Sequence, residues 1–443
     1  MNILIVGAGT VGTYLAEALL GEGHSLVVLD SDAKRVAEVA DQLDVQAICG
    51  TATDHGLLER NGIRESDVAL AMTNIDEVNL VCALTCKRLG AKRTVARVRD
   101  PVYLHSPIIP YRALFEVDIL ISPEMETAVE IAKFLETPDV VALETFAHGR
   151  VQMRQVDLTK PCDALGKPLA KAGLPEGVLV AAITRESEVS IPTGEDRLHL
   201  DDSVTLIGHP DALAKTEPLL GLTTPEAKSI VIFGGGEVAY NLARLLEDRP
   251  SEVILMERDS ERSRELSQLL PRATVIHGDG TKIDVLREER IGAADVFVAA
   301  TGSDEDNIMA TQLAIEMGVK QSIVLVHRPD YASVIQRMGF DHVLSPRVVT
   351  SKHLMTHLRE RDIRALPVLG AGAEILELRP GPQAKIVGAK LRDVDLPKGS
   401  LICAIIHDGE MRVAHGADIV EAGDTVIAIA LKRASKDLRS KFR

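Results

Sequence analysis

The chain has 443 residues, of which 46% are hydrophobic and 26% are charged, a composition typical of a soluble globular protein too long for one compact core. A net charge of −15, an aromatic content of 3% and the absence of tryptophan argue against a broad nucleic-acid interface, which needs clustered cations and stacking rings. No apolar run reaches the roughly 18 residues of a membrane-spanning helix, so we expect at most a peripheral membrane role.

The first predicted element is the strand NILIV, residues 2–6, which leads into the glycine turn GAGTVG and a helix. In a dinucleotide-binding βαβ unit, Gly7 allows the tight turn, Gly9 lets the backbone approach a pyrophosphate, and Gly12 permits close helix packing. The N–H groups at the start of the helix would then face the phosphates. Because the strand begins at once, we expect no signal peptide and a cytoplasmic chain.

The second strand, SLVVLD, ends in Asp30, at the spacing from Gly7 that is typical of the acid in a dinucleotide-binding unit. An acid at this place accepts hydrogen bonds from the ribose hydroxyls and repels a 2′-phosphate, so the sequence favours NAD over NADP. Further along, Thr73 and Asn74 follow the strand DVALAM, and Arg97 lies in the strand TVARV. These three are candidate ligand contacts, with helix capping and a salt-bridged surface as the alternatives.

A helix over residues 123–136 closes this unit, and short β-branched runs broken by Gly, Pro and Asp follow it. The stretches LPEGVLVAAITR and DDSVTLIG are typical of antiparallel strands joined by tight turns. They hold no carboxylate–histidine grouping. We therefore interpret this segment as a small binding or dimerisation domain.

The whole pattern then repeats. GGGEVA at residues 234–239 repeats the turn GAGTVG, and a second β-rich segment with LPKGSLICAIIHDG follows a second predicted helix over residues 346–362. The sequence therefore predicts an α/β fold class with two Rossmann-like, doubly wound parallel-sheet domains, each followed by a small α+β domain. The predicted bounds of the first Rossmann, first C-terminal, second Rossmann and second C-terminal domains are 1–138, 139–222, 223–364 and 365–443.

The second copy departs from the first at several positions. Ala239 replaces the third glycine, which serves packing and not phosphate contact. Glu257 keeps the acid of the second strand, and Arg258 after it is interpreted as a solvated arginine, with stacking on adenine or contact with a phosphate as the alternative. Asp279 is a candidate for bonding an adenine amino group, whereas the first copy has Thr51 there.

Groups for catalysis are missing from this pattern. None of the five tyrosines has a lysine four residues on, and neither a P-loop lysine nor a nucleophile elbow occurs. For His353 with His357, and for Cys82 with Cys86, ordinary side chains are the preferred interpretation over metal ligands. We expect the nucleotide to be sensed and not consumed, so that the chain is not an enzyme.

Over essentially its full length, the sequence resembles the TrkA family, the cytosolic regulatory subunits of bacterial Trk-type potassium uptake systems. GAGTVG with Asp30, GGGEVA with Glu257, TNIDEVN and ARVRDP resemble the KTN (RCK N-terminal) domains of that family. LPEGVLVAAITR and LPKGSLICAIIHDG resemble its RCK C-terminal domains.

This resemblance implies a subunit that binds NAD or NADH, with ATP or ADP as alternative ligands, and gates a TrkH-like membrane potassium-translocating subunit by changing shape. It also implies a homo-oligomer, a dimer or larger, that forms a ring of Rossmann domains at the inner face of the cell membrane and binds no nucleic acid. An NAD-dependent oxidoreductase and a regulator of a different cation transporter are the alternatives. Carried over by motif, the ligand contacts would be Gly7, Gly9, Thr10, Val11, Gly12, Asp30, Thr73, Asn74 and Arg97 in the first copy and Gly234, Gly236, Glu237, Val238, Glu257, Asp279 and Thr301 in the second.

Overall fold

A computed structural model describes four sheets in chain order: parallel, antiparallel, parallel and antiparallel. The chain divides into two compact units, and each unit combines segments from both sequence repeats: Met1–Ala132 with Ala227–Leu358, and Lys133–Glu226 with Arg359–Arg443. The predicted fold class is confirmed. The residues that the structure describes are 1–136, 140–186, 188–222, 227–358, 363–367 and 372–442.

The first Rossmann domain is a six-stranded parallel sheet in the order β3-β2-β1-β4-β5-β6. Its central strands β1 and β4 are almost wholly buried, which is why their sequences are continuous apolar runs without alternation. The strands are β1 (Asn2–Val6), β2 (Ser25–Asp30), β3 (Gln46–Cys49), β4 (Val68–Ala71), β5 (Arg93–Arg97) and β6 (Ile119–Ile121). The helices are α1 (Thr10–Gly21), α2 (Ala33–Gln42), α3 (His55–Arg60), α4 (Asp76–Leu89), α5 (Val102–His105), α6 (Tyr111–Leu114) and α7 (Pro123–Glu136).

The first C-terminal domain is a five-stranded antiparallel sheet in the order β10-β9-β11-β8-β7 with one short helix. Its elements are β7 (Val140–Phe146), β8 (Val151–Asp157), β9 (Val178–Arg185), β10 (Glu188–Ser190), β11 (Ser203–Gly208) and α8 (Pro210–Thr216). Both predicted runs form strands here, β9 and β11.

The second Rossmann domain repeats the first, with the parallel order β14-β13-β12-β15-β16-β17. Its strands are β12 (Ser229–Phe233), β13 (Glu252–Glu257), β14 (Thr274–His277), β15 (Val296–Ala299), β16 (Gln321–Leu325) and β17 (His342–Leu344). Its helices are α9 (Glu237–Leu246), α10 (Ser260–Leu269), α11 (Ile283–Glu288), α12 (Asp304–Glu316), α13 (Pro329–Gln336) and α14 (Pro346–Leu358).

The second C-terminal domain has the order β18-β19-β22-β20-β21. Its elements are β18 (Ile363–Pro367), β19 (Ala373–Leu378), β20 (Ser400–His407), β21 (Glu410–Val413), β22 (Thr425–Leu431) and α15 (Lys432–Ser440). The predicted boundaries after residues 138 and 222 touch the segments 137–139 and 223–226, outside the described residues, and the boundary after residue 364 falls within β18. The four domain ranges therefore stay a prediction.

One helix of the second Rossmann domain packs on the first. Leu354, Met355 and Leu358 of α14 belong to the same buried core as Leu15 and Leu19 of α1. The sequence correctly predicts the start of this helix at residue 346, where it closes the second Rossmann unit, and the predicted residues 359–362 lie outside the described part of the chain. The two Rossmann domains are thus bound together by apolar burial.

The two C-terminal sheets also share one core. Phe146 and Met153 of the first sheet pack in the same buried cluster as Ile375, Cys403 and Ile429 of the second. Each sheet therefore buries one face against its partner, which explains why such small domains need not be stable alone.

The two C-terminal domains differ at one pair of equivalent residues, an arginine in the first and a histidine in the second. Arg185 donates two hydrogen bonds to the fully buried Asp202, at 2.7 and 2.8 Å. In the second domain His407 takes the place of the arginine, and its Nδ1 lies 2.7 Å from Oδ1 of the buried Asp424. This hydrogen bond raises the pKa of His407 above its ordinary value.

We expect the wild-type chain to lose thermal stability as the pH rises above about 6.5, the ordinary pKa of histidine. A raised pKa in the folded state means that the stabilisation from His407 is complete below that pH and disappears as the pH passes through the folded pKa. The replacement His407→Arg should remove this dependence, because arginine stays charged. Unfolding temperatures measured from pH 6 to pH 8.5 check this; equal slopes for both proteins would contradict it.

Candidate functional site

The strand order of each Rossmann sheet reverses between its first and fourth strands, β1 with β4 and β12 with β15. Ligands of doubly wound folds bind at such a reversal, beyond the carboxyl ends of the strands. The glycine turns, the acids that end β2 and β13, and the loops after β4 and β15 all lie at this edge. Each copy therefore has one candidate site.

The first glycine of each turn is required by the backbone. Gly7 has φ +105° and Gly234 has φ +110°, in the region that side chains rarely adopt. A Cβ atom at Gly7 would also lie 2.9 Å from the backbone of Met72 and Thr73. The first turn thus passes directly against the end of β4, and the second passes equally close to Ala300 at the end of β15.

The second glycine of each turn has open space beside it. Gly9 precedes α1 in an extended conformation, and a Cβ atom there would meet no heavy atom within 4 Å. Gly236 precedes α9 in the same conformation, and its Cβ would reach only the Ala300 carbonyl, at 4.0 Å. The fold itself does not need glycine at these positions. A ligand that approaches the backbone here would need it.

The third position distinguishes the two copies. A Cβ atom at Gly12 would lie 1.8 Å from the carbonyl oxygen of Gly7, so α1 packs tightly on its own turn. Ala239 takes this position in the second copy and is fully buried. The second turn therefore leaves room for a methyl group where the first leaves none, in agreement with a packing role for this position.

The acids that end the second strands hold the glycine turns in place. Asp30 is only 7% exposed and accepts hydrogen bonds from the backbone N–H groups of Ala8 at 2.6 Å and Asp32 at 2.8 Å. Glu257 does the same with Gly235 at 2.5 Å and Asp259 at 2.7 Å. Each carboxylate thus joins the turn to the start of the next helix, where a ribose would lie.

Two asparagines that the sequence analysis did not single out organise the loops after β4 and β15. Asn79 is fully buried; its Oδ1 accepts from the Thr73 hydroxyl at 2.7 Å, and its Nδ2 donates to the carbonyl of Arg97 at 2.9 Å. Asn307 binds Thr301 in the same way, with the hydroxyl 2.6 Å away. The sequence does contain a signal for them, because TNIDEVN and TGSDEDN end in the same residue, Asn79 and Asn307.

The structure places the remaining predicted residues in varied surroundings. Arg97 donates to Glu124 of α7 at 2.7 Å, and both side chains are largely buried. Asp279 accepts from the Thr281 hydroxyl at 2.7 Å, and this hydrogen bond holds the pKa of Asp279 below its usual range.

The helices that follow the two turns begin with predicted site residues, Thr10 and Val11 in α1 and Glu237 and Val238 in α9. Asn74, in the loop after β4, is exposed. Arg258 is exposed and lies 3.4 Å from Asp306, as expected for a solvated arginine.

Arginines at equivalent positions of α2 and α10 also lie at these sites. Arg262 donates to the carbonyl oxygen of Gly235 at 2.8 Å. Arg35, its counterpart in the first copy, lies 3.9 Å from Asp30 and 3.8 Å from Asp32. Sequence reasoning missed both, although each follows the strand-ending acid by five residues. A guanidinium here can bind phosphate oxygens.

The described residues include no group of three or more His, Cys, Asp or Glu arranged to hold a metal ion. Cys82 and Cys86 are both buried in the core beneath α4, and the hydrogen bond between them, together with burial, raises the pKa of Cys82. His353 lies 2.8 Å from Glu126, and the side chain of His357 is outside the described set.

Within the part of the chain that is described, no helix combines the length and the apolar character needed to span a bilayer.

Comparison with known proteins identifies the domains. The TrkA-N domain family matches residues 3–123 and 230–346, and the TrkA-C domain family matches residues 153–221 and 375–443. "Trk system potassium uptake protein TrkA homolog 2" of Methanosarcina mazei is 33% identical over 452 residues, which cover 100% of both chains. "Trk system potassium uptake protein TrkA" of Halomonas elongata is also 33% identical, over 100% of this chain and 99% of its own length.

Among solved structures, the fold is similar to that of the "GsuK channel bound to NAD", with a TM-score of 0.65 and 20% identity, over 100% of this chain and 78% of that one. The GsuK RCK domain gives a TM-score of 0.64 over 100% and 94% of the two chains. The tandem order of TrkA-N and TrkA-C domains and the full-length similarity lead to one conclusion. This chain belongs to the TrkA family.

Proposed function

We propose that the chain is a nucleotide-sensing regulatory subunit of a potassium uptake system and binds NAD or NADH in its Rossmann domains. The observation that carries this proposal is the combination, in both copies, of an open approach to the helix start at Gly9 or Gly236 with an anchored acid at Asp30 or Glu257. The names of the full-length relatives supply the transport role.

The nucleotide acts here as a ligand and not as a reactant. In support, the candidate sites hold asparagine-bound threonines, salt-bridged arginines and strand-ending acids, while a dehydrogenase needs a proton donor and a substrate pocket beside the nicotinamide. An NAD-dependent oxidoreductase is the competing function. Purified protein incubated with NADH and small carbonyl compounds distinguishes the two, since steady loss of NADH absorbance would favour the enzyme.

The proposal also includes a homo-oligomer, either a dimer or a larger ring, that assembles through the Rossmann domains. In support, large apolar side chains are exposed on both copies. Val81 of α4 and Met309 of α12 occupy equivalent positions and are both exposed, and Ile108 of the first copy is 87% exposed. Exposed apolar side chains of this kind often mark association surfaces. Light scattering across a concentration series tests this point.

The membrane partner is a TrkH-like potassium-translocating subunit, which the oligomer contacts from the cytoplasmic side. A nucleotide shifts the conformational equilibrium of such an assembly only if it binds the two conformations with different affinity. Coupling free energies of about 1–3 kcal/mol are typical. ATP and ADP compete with NADH for the same turns. Potassium flux through the reconstituted complex, measured with and without each nucleotide, tests the regulatory role, and nucleotide-independent flux would contradict it.

We expect Asp30→Ala to weaken NAD binding in the first copy by about 10- to 100-fold, the loss of charged hydrogen bonds to the ribose. The same change should reduce the discrimination against NADP, because the carboxylate no longer repels the 2′-phosphate. The ratio of the two affinities is the informative measurement, since Asp30 also holds the turn and a purely structural loss would lower both. An unchanged ratio would refute this role.

A further inference from the structure

The second glycine turn is crossed by a salt-bridged arginine. Arg262 donates from Nε to the Gly235 carbonyl at 2.8 Å, from one Nη to Glu265 at 2.8 Å, and the other Nη lies 3.1 Å from Glu237. Its side chain is only 26% exposed. This guanidinium therefore connects the turn, the first residue of α9 and the middle of α10.

Glu237 occupies a position that matters for a phosphate ligand. It is the first residue of α9, whose backbone N–H groups and positive dipole end attract anions. A carboxylate at this position makes the same favourable interaction with the dipole that a pyrophosphate would make. The side chain of Glu237 is thus an anion already placed beside both the helix start and Arg262.

The first copy lacks this arrangement. Thr10, a neutral residue, stands where Glu237 stands in the second copy. Arg35, the counterpart of Arg262, is half exposed and lies 3.9 Å from Asp30, so it does not bridge the turn to the start of α1. At the first residue of the helix the two copies therefore differ in charge, neutral at Thr10 and negative at Glu237, while both copies have the nearby arginine.

We propose that the Glu237 carboxylate competes with the nucleotide pyrophosphate for Arg262 and for the start of α9. The second site therefore binds NADH more weakly than it would with a neutral residue, and binding there breaks a salt bridge between α9 and α10. This inference rests on the proposed function, because it assumes that the glycine turns bind a nucleotide.

The charges around Arg262 make the competition necessary. Glu237 and Glu265 both form salt bridges with the one guanidinium, and the Glu257 carboxylate accepts from the N–H of Gly235, the residue whose carbonyl binds Arg262. A pyrophosphate brings further negative charge to the same place, so it cannot join the cluster without strong repulsion unless one carboxylate leaves. Glu237 is the carboxylate that can leave, because its side chain is 33% exposed and can rotate into solvent, whereas Glu257 is held by two backbone N–H groups.

The breaking of this salt bridge is also a means of regulation. Occupation of the second site would release α9 from α10, while occupation of the first site would break no equivalent contact. The two copies would then report on the same nucleotide over different concentration ranges and with different structural consequences. A weak second site is suited to respond only after the first is filled.

The test uses the full chain and reads each site alone. Gly9→Val blocks the first site, so this background reports the second; Gly236→Val reports the first. Titration with NADH in the Gly9→Val background should show that adding Glu237→Thr raises the affinity about three- to tenfold. Arg262→Gln should reduce this gain by at least half, because the shared partner is gone. The matched change Thr10→Glu, in the Gly236→Val background, should weaken the first site.

The outcomes separate this inference from the proposed function. If the Gly236→Val protein does not bind NADH at all, the proposed function itself is wrong. If it binds, but Glu237→Thr leaves the affinity of the second site unchanged or lowers it, competition by Glu237 is refuted. The unfolding temperature of each variant checks the fold, and Glu265 should keep Arg262 in place when Glu237 is replaced.

Discussion

Replacement of Gly9 by valine is expected to abolish nucleotide binding in the first Rossmann domain while leaving its fold intact. The backbone at Gly9 is extended, and a Cβ atom would meet nothing within 4 Å, so the protein has space for the side chain. A bound pyrophosphate would occupy that same space against the helix start. Loss of two hydrogen bonds to a charged group costs about 3 kcal/mol or more, which weakens binding about 100-fold or more.

A matched control lies in α1, the helix that Gly9 precedes. Gly21 also has open space around its Cβ position, and it stands at the other end of α1. Gly21→Val should therefore leave NADH binding unchanged, and both variants should keep the circular dichroism spectrum of the wild type. Titration of Gly9→Val with wild-type affinity would show that the ligand does not approach this turn.

Replacement of Gly12 by alanine should have the largest effect on stability. Its Cβ would lie 1.8 Å from the Gly7 carbonyl oxygen, a backbone atom that cannot rotate away. Either α1 must move off the sheet or the turn must open, and overpacking of this kind costs about 1–3 kcal/mol or more. We expect a clearly lower free energy of unfolding for the Rossmann unit and weaker NADH binding, since the turn no longer has its shape.

The second copy supplies the comparison. Ala239 stands at the equivalent position, fully buried, so the second turn already accommodates a methyl group. Ala239→Gly should cost only about 1 kcal/mol, the helix-propensity difference between the two residues plus a small cavity. Chemical denaturation of both variants measures these changes. A Gly12→Ala protein as stable as the wild type would contradict the close approach of α1 to its turn.

Features encoded within a short segment could be predicted from the sequence. The strand NILIV, the strand ending in Asp30 and the helix 123–136 lie at the predicted residues, because buried parallel strands are continuous apolar runs and glycine turns follow fixed geometry. Because the two repeats have a constant offset, the sequence also predicts the strand that ends in Glu257, and the structure has it there.

Contacts between distant segments could not be predicted in this way. The packing of Leu354 against the core around Leu15 joins residues from opposite ends of the Rossmann unit's sequence, and the amphipathic pattern of a helix does not specify which sheet it covers. The shared core of the C-terminal sheets is missed for the same reason. Asn79 and Arg262 are polar residues of α4 and α10, and only the tertiary structure shows what they bind.

The difference between Gly12 and Ala239 illustrates an intermediate case. The substitution is visible in the sequence, and the packing role of the third glycine was predicted correctly. The sequence does not show that the first turn leaves no space at all for a methyl group while the second does, because that depends on how closely each helix approaches its turn. Two turns of similar sequence are thus not equivalent sites.

Calorimetric titration of the intact chain with NAD, NADH, ATP and ADP, repeated on Asp30→Ala and Glu257→Ala, tests most directly whether both copies sense a nucleotide. We expect two binding events in the wild type, and each replacement should weaken or remove only the event of its own domain. A single event that disappears with Asp30→Ala and is untouched by Glu257→Ala would contradict a working second site. The absence of any event would contradict nucleotide sensing altogether.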